Sequence, residues 1–486
     1  MTPEDQRDQA RQEGQASSRI EADAGETPAL PGSRMGRDLT TGSVPRNVLA
    51  FSLPMLAGSV LQTAYSFVNA FWVGRYLGAE ALAALTVSMP ALFVTFALAG
   101  GLTLATNVLV AQHYGAKDWA RLRAAVHTSV VLVGTLSLLF LALGLRFAVQ
   151  LLGLVNAPPE IMAPATGYLR IILWTVPLSF GIFLIGSMLR GIGDSKTPVY
   201  FQAVSVVING VLDPLLMFGW LGFPRLGLNG TACATIIAQA GAMIALFWYV
   251  PRRQPVVAPD WRRLRPDWPS ASLLVRIGFP AMIQQSVVSV SMLVIVSLVS
   301  RFGVEADAGF GAALRIDQVA FLPALTIGMA VSTLAGQNIG AGRFARVGEV
   351  FWWGIALSGG ISLVIAVLAI GMPAFFLRVF LTEPEVVAIG VGYLRIVGMT
   401  YVLYAIMFVS HGIINGAGHT TVTTLISMIS LWGIRLPLAA MLPRYLHGVT
   451  GIWWAMLISV GCGMALSLSF FFSGRWKRPV VRRGGP

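Results

Sequence analysis

Two acidic residues, Asp213 and Asp317, lie inside apolar segments and are the first candidates for chemistry. Most other acids fall in the polar first 47 residues, in loops, or at the ends of apolar runs. Ionisable groups within a membrane span are energetically costly, rare and usually functional. These two positions therefore deserve a functional interpretation before any other.

Asp213 follows Asn209 by four residues, so both side chains share one face of a helix, and Pro214 loosens the backbone beside them. Desolvation disfavours the charged form of a carboxyl group, so Asp213 is suited to bind and release a proton. The pattern predicts a compact site for a proton or another monovalent cation. The alternative is an Asp that caps the backbone break next to Pro214.

Further polar side chains recur at helical spacing in otherwise apolar segments. Gln62, Ser66 and Asn69 form a stripe that we expect to line a cavity, although such residues also serve as contacts between helices. Gln285 and Ser289 repeat the spacing later in the chain, and we expect Gln285 to line a cavity as well.

Three secondary candidates remain in the second half. Arg315 and Asp317 are two positions apart and cannot face each other on one helix, so each needs a partner elsewhere. A structural ion pair and a role in ion coupling are both open for them. His411 suits a proton relay or a hydrogen-bonded packing role.

Patterns typical of enzymes are missing. Gly191-Ile192-Gly193 has no strand before it, there is no Walker A sequence, and the Cys and His residues lack the spacing of metal ligands. Cys233 and Cys462 fall in apolar segments and are expected to pack there. The sequence predicts a protein that is not an enzyme, without metal or cofactor.

The elements that carry these residues are membrane helices. Charged residues make up 11% of 486 positions and hydrophobic ones 56%, whereas soluble domains carry about 25% charged residues. Apolar runs of membrane-spanning length recur without the alternation of barrel strands. Breaks between them predict twelve helices, starting near residues 48, 82, 124, 161, 198, 226, 271, 306, 348, 384, 419 and 449.

Basic residues predict the orientation. If both termini are cytoplasmic, the tails and the loops on their side hold 24 of the 34 Lys and Arg residues. We therefore expect a multi-pass inner-membrane protein with both termini in the cytoplasm, and a net charge of +13 that favours anionic lipid rather than nucleic acid. Residues 1–47 are predicted to be a disordered cytosolic tail, and 474–486 a basic cytosolic tail.

An internal repeat divides the chain into halves. Gly167-Tyr168-Leu169-Arg170-Ile171 recurs as Gly392-Tyr393-Leu394-Arg395-Ile396, an offset of 225 residues. The same offset places Gln112-His113-Tyr114-Gly115-Ala116 on Gln337-Asn338-Ile339-Gly340-Ala341. Six helices separate equivalent points, so the halves are parallel repeats that enclose a central cavity. We predict an all-α, V-shaped protein with an N-lobe at 48–250, a linker at 251–270 and a C-lobe at 271–473.

The chain resembles the multidrug and toxic compound extrusion (MATE) family, in its DinF-like branch, over nearly all of residues 48 to 473. The resemblance is carried by the doubled Gln-x-x-Gly-Ala pattern and by two segments, Arg190-Gly191-Ile192-Gly193-Asp194-Ser195-Lys196-Thr197-Pro198 and Asn209-Gly210-Val211-Leu212-Asp213-Pro214. It implies a two-lobe antiporter that exports amphipathic, often cationic drugs or metabolites in exchange for protons or sodium. A small-molecule substrate, the lipid bilayer and a monomeric state complete the expectation.

The resemblance also implies site residues. The ion-coupling positions of the family fall here on Asn69, Asn209, Asp213 and Thr231, and the bending proline of helix 1 falls on Pro54. Asn69 replaces an Asp of the family, so a single carboxylate remains and one monovalent ion would balance it.

The sodium site of another branch is not matched in the second half. Val288 and Tyr404 stand where that branch has acids, and Tyr404 is expected to line the cavity instead. Arg435 falls near the depth of Asp213, which disfavours a cation site there. A lipid-linked flippase of related fold is the alternative function, and a membrane receptor or enzyme is the alternative outside transport.

Overall fold

The computed structural model describes residues 36–76, 79–154, 158–262, 264–446, 448–478 and 480–481. In these ranges the regular structure is helical throughout, without strands. The N-lobe holds α1 (Val44–Tyr76), α2 (Ala79–Gly115), α3 (Trp119–Arg146), α4 (Pro159–Ile172 with Thr175–Gly191), α5 (Lys196–Phe218) and α6 (Leu228–Arg253). The C-lobe holds α7 (Trp268–Ser300), α8 (Val304–Gly340), α9 (Phe344–Gly371), α10 (Pro384–Val397 with Thr400–Gly416), α11 (Thr420–Met428, Ile429–Arg435 and Leu436–Met441) and α12 (Thr450–Phe472).

These twelve segments confirm the predicted fold class. Within the described ranges, nine helices and two bent pairs are long and apolar enough to cross a membrane. Helix α2, with 37 residues, completes the set. Short helices Ala148–Leu154 and Pro373–Leu377 follow α3 and α9 at equivalent places in the two lobes.

The internal repeat extends to the irregularities of the helices. Helices α4 and α10 bend by 41° and 44° at breaks that lie 225 positions apart. Just after each break a threonine hydroxyl, on Thr175 or Thr400, donates to a backbone carbonyl three residues earlier at 2.6 Å. Because this bond competes with the regular backbone ladder, it favours a bend at both places.

The two lobes meet through their first helices. Helix α2 packs against α7 and α8, and the first turns of α1 pack against α8 and α9. The contact of α2 with α7 uses glycine, since a methyl group on Gly101 would lie 2.6 Å from the carbonyl oxygen of Gly278. Close backbone approach of this kind is a main source of helix association in lipid.

The segments flanking the membrane region differ from the predicted tails. Residues 1–35 and 482–486 of those tails lie outside the described residues, but helix α1 begins at Val44 and residues 36–43 are placed against the helix ends. Near the other end Trp476 is buried, and Val480 donates its backbone N–H to Ala417 at 3.1 Å. The ordered ends exist because their backbone groups find partners, which composition does not reveal.

We call the face that carries residues 36–43, residues 474–478 and the loops after α2, α4, α8 and α10 the terminal face. In the predicted linker at 251–270, α6 continues to Arg253 and α7 begins at Trp268, capped by the side chain of Asp267. The site residues of the N-lobe lie on α1, α5 and α6, which contact one another.

Candidate functional site

Helix α5 carries the centre of the candidate site. Asp213 and Asn209 are 2% and 4% exposed, on one face of the helix as their spacing predicts. Helix α6 approaches this face closely, because a methyl group on Gly230 would lie 2.6 Å from the carbonyl oxygen of Leu216. Glycine at this crossing lets α6 place its own polar side chains beside Asn209.

Helix α1 supplies the hydrogen bonds from the other side. The amide nitrogen of Asn69 donates to Asp213 Oδ2 at 3.1 Å and to the hydroxyl of Tyr65 at 3.0 Å. Tyr65 in turn donates its hydroxyl proton to Asp213 Oδ2 at 3.2 Å. Two side chains of α1 therefore donate to one carboxylate oxygen on α5.

Asn209 joins this cluster to α6. We assign its amide so that the nitrogen donates to Asp213 Oδ2 and Oδ1 at 3.0 and 3.1 Å and also contacts Tyr65. In this orientation its oxygen accepts from Thr235 Oγ1 at 3.0 Å. Thr231 is buried one turn away, and its hydroxyl donates to Leu228 O in its own helix at 2.9 Å.

The polar contacts of Asp213 are all with neutral side chains. Among the described residues a single ion pair is found, Arg121 with Asp118 at 3.5 Å on the terminal face. The groups around Asp213 are mainly donors, which stabilise a carboxylate without neutralising it. A charge so buried, without a cation beside it, is costly unless a proton or cation binds.

The stripe on α1 faces two environments. Gln62 lines a cavity of about 350 Å³ inside the N-lobe, where its carbonyl oxygen accepts from Gln202 at 3.0 Å. Ser66 is exposed and donates to the backbone of Gln62 at 3.0 Å. Pro54 lies within α1, which continues as one helix through it.

A second cavity, of about 450 Å³, lies between the lobes. It is bounded by α2 on one side and by α7, α8 and α10 on the other, and Gln285 lines it. His411 also lines it, although its side chain is only 4% exposed and its Nε2 has no hydrogen-bond partner among the residues that the structure describes.

The other candidates of the C-lobe have separate partners. Asp317 accepts hydrogen bonds from the hydroxyls of Tyr393 and Tyr401, the latter at 2.5 Å. The guanidinium of Arg315 lies 5.3 Å from the ring centre of Phe380. The ion-pair interpretation of Asp317 and Arg315 finds no supporting contact in the described structure.

Arg435 and Tyr404 form a pair in the C-lobe. Arg435 is 6% exposed, donates from Nη2 to the hydroxyl of Tyr404 at 3.0 Å, and donates from Nε to Ser459 Oγ at 2.9 Å. Tyr404 was predicted to line a cavity, and its hydroxyl accepts a hydrogen bond from this buried cation.

Two residues of the N-lobe cluster escaped the sequence analysis. Tyr65 lies four residues before Asn69 and three after Gln62, so it shares the face of the polar stripe on α1. Thr235 lies four residues after Thr231 and shares its helix face. Helical spacing alone could have indicated both residues as candidates. The tertiary structure is needed to show that they belong to the cluster around Asp213.

A doubled bundle with interlobe and intralobe cavities, and with a buried carboxylate at a junction of three helices, defines a membrane transporter of two repeated lobes. The MatE family profile matches residues 54–215 and 280–441, one match in each lobe. The chain belongs to this family, and it is a multi-pass membrane protein.

Curated relatives and solved structures agree with that assignment. A "Probable multidrug resistance protein YpnP" of Bacillus subtilis is 34% identical, covering 90% of this chain and 97% of the relative. The protein YoeA of the same organism, with the same description, is 32% identical and covers 91% and 96%. A solved "Outward-facing conformation of a multidrug resistance MATE family transporter" matches with a TM-score of 0.83 and 22% identity, covering 92% of this chain and 98% of that one.

Proposed function

We propose that the chain is a secondary exporter that expels amphipathic organic cations from the cytoplasm in exchange for protons. Drug export is supported by the relatives of the chain, which are described as probable multidrug resistance proteins. The terminal face is then cytoplasmic, in agreement with the distribution of Lys and Arg, and the membrane is the inner membrane.

The observation that carries the proposal is the environment of Asp213. The carboxylate is buried, contacts Asn69, Asn209 and Tyr65, and has no positively charged partner in the described structure. Protonation removes the cost of the buried charge, and the surrounding donors keep the ionised form accessible. The carboxyl group can therefore alternate between two states during one transport cycle.

The same donors favour a proton over sodium. Sodium needs several oxygen ligands, whereas the amide nitrogens of Asn69 and Asn209 both point at the carboxylate. A proton needs only one carboxylate oxygen. The site thus exchanges one proton per cycle, and Asn69, which cannot ionise, adds no second.

The coupling between this site and the rest of α1 runs through Tyr65 and Asn69. Both contact Asp213 from α1, so neutralising the carboxylate weakens the hydrogen bonds that hold α1 against α5. Pro54, which lacks a backbone donor, is the point where α1 bends most easily in response.

Reconstituted protein tests the proposal directly. Liposomes containing the wild type should export a fluorescent cationic dye under an imposed pH gradient, and an equal sodium gradient should drive none. Asp213→Asn should remove the pH-driven flux, with Asp194→Asn, in a loop of the terminal face, as the control. Sodium-driven export, or unchanged pH-driven export by Asp213→Asn at matched protein content, would refute the assignment.

A further inference from the structure

The contact between the lobes at the terminal face is built from the two copies of one repeated sequence pattern. Gln112 lies in the last turn of α2 and Gln337 in the last turn of α8, and the two are 225 positions apart in the repeat. Gln112 donates from Nε2 to the backbone carbonyl of Gly416, at the end of α10, at 2.7 Å. Gln337 donates from Nε2 to the carbonyl of Gly191, at the end of α4, at 2.8 Å.

These two hydrogen bonds are equivalent and cross the interface in opposite directions. The acceptors Gly191 and Gly416 are also 225 positions apart, so each lobe contributes one donor and one acceptor. Gln112 is 2% exposed and Gln337 is fully buried, so neither amide lies in bulk solvent. A buried donor that loses its partner is destabilised unless water replaces it, which requires the interface to open.

The backbones around the two glutamines are in close contact as well. A methyl group on Gly115 would lie 2.0 Å from the carbonyl oxygen of Gln337, and one on Gly340 would lie 2.0 Å from that of Gln112. Neither contact leaves room for any side chain. Both copies of the repeat have glycine at the position where α2 and α8 are in contact.

Residues 36–39, a short segment before α1, also contact this interface beside Gln337. The backbone N–H of Leu39 donates to Gln337 Oε1 at 2.9 Å, and Tyr114 of α2 donates to Gly36 O at 2.9 Å. The segment therefore touches both lobes beside Gln337. Both hydrogen-bonding ends of the Gln337 amide are used, one across the interface and one on this segment.

We propose that Gln112 and Gln337 form a glutamine latch that holds the terminal face closed and must release for that face to open. The lobes of a parallel-repeat transporter rock against each other, so a face that is closed in one state opens in the other. When the lobes separate, both amides exchange a carbonyl of the opposite lobe for water. The latch sets the balance between the two states, and its residues position the lobes without contacting the transported ion.

The inference rests on the proposed exporter function, and its test is independent of drug and ion. The substitutions Arg123→Cys, in α3, and Ala345→Cys, in α9, are combined in one chain. Both positions are exposed, and they carry one spin label on each lobe at the terminal face. Cys233 and Cys462 are first replaced by alanine. Distances between the labels are then measured by pulsed electron resonance on the full chain in lipid nanodiscs, without dye or gradient.

The wild type should show mainly one short distance. The double variant Gln112→Ala and Gln337→Ala should add a longer distance, and each single variant should add less of it. Thr106→Ala is the control, because Thr106 lies buried on α2 but bonds within the N-lobe, to Ser129 at 3.0 Å. It should keep the wild-type distribution.

Two further variants keep the test decisive if the alanine double variant does not fold. Gln112→Met with Gln337→Met retains similar side-chain size but removes both donors, and should also populate the longer distance. Gly115→Ala should do the same by steric wedging, with Gly348→Ala as its control, since a methyl group there meets nothing within 4 Å. A wild-type distribution in the folded methionine variant and in Gly115→Ala would overturn the proposal. Loss of proton coupling with normal latch behaviour would overturn only the exporter mechanism.

Discussion

The two lobes share one fold, yet they bury opposite charges at comparable places. On α5 of the N-lobe, Asp213 is held by neutral donors from α1 and α5. On α11 of the C-lobe, Arg435 is held by Tyr404 and Ser459. A carboxylate can be neutralised by a proton, whereas a guanidinium stays charged at all relevant pH values. Duplication of the fold therefore did not duplicate this charge, and at the place on α11 that corresponds to Asp213 the C-lobe has a cation that a proton cannot neutralise.

The C-lobe carboxylate Asp317 sharpens this contrast. It accepts from two tyrosine hydroxyls, Tyr393 and Tyr401, both on α10, and no α11 side chain is among its hydrogen-bond partners. The cluster around Asp213 instead joins α1, α5 and α6. A change of charge at Asp213 therefore acts directly on hydrogen bonds that join three helices, while one at Asp317 acts directly on hydrogen bonds between α8 and α10.

The largest expected effect separates these two acids. Asp213→Asn should abolish the proton release that accompanies binding of a cationic dye, because the exchanging group is gone. Asp317→Asn should keep most of it, because the amide still accepts from a tyrosine. Dye-induced pH change in weakly buffered detergent solution, read with a pH indicator, measures both. Equal losses in the two variants would show that the lobes share the coupling.

Stability should respond to the C-lobe cation. Arg435→Ala leaves the hydroxyls of Tyr404 and Ser459 without their donor and should lower the free energy of unfolding by about 2 kcal/mol. Thermal denaturation followed by tryptophan fluorescence measures the change, with exposed Arg378→Ala as the control. Folded Arg435→Ala should still couple export to protons. Loss of coupling in that variant would remove the functional difference between the lobes.

Much of this contrast follows from the sequence. The 225-residue repeat and the apolar runs gave twelve helices in two lobes, because membrane helices need continuous apolar length and a repeat fixes the topology. The pair Asn209 and Asp213 was found from helical spacing alone. Contacts between different helices were harder to predict. Whether Thr235 and Tyr65 reach the site depends on how α6 and α1 are rotated about their axes relative to α5. The contact of Tyr404 with Arg435 likewise could not be assigned without the tertiary structure.

A second acid on α1 should alter the N-lobe site by a moderate amount. In Asn69→Asp two carboxyl groups lie beside Tyr65 and repel each other when both are ionised, so one proton should stay bound to higher pH. The pH midpoint of dye export should rise by about one unit, and a second proton should be exchanged per dye. Ser66→Asp, on the same helix but without contact to Asp213, is the control. A midpoint that rises equally in both variants would indicate a general charge effect.

The smallest effect is expected from a single hydroxyl. Tyr65→Phe removes the donor to Asp213 Oδ2 and the acceptor for Asn69, while leaving the amide contacts of Asn69 and Asn209 with the carboxylate. One such hydrogen bond contributes about 1 kcal/mol, so the ionised form should be disfavoured by about fivefold and export should require a slightly higher pH for proton release. Tyr76→Phe, at an exposed position of α1, is the control. The pH dependence of export in liposomes measures the shift, and an unchanged profile would restrict the coupling machinery to Asp213 and the two amides.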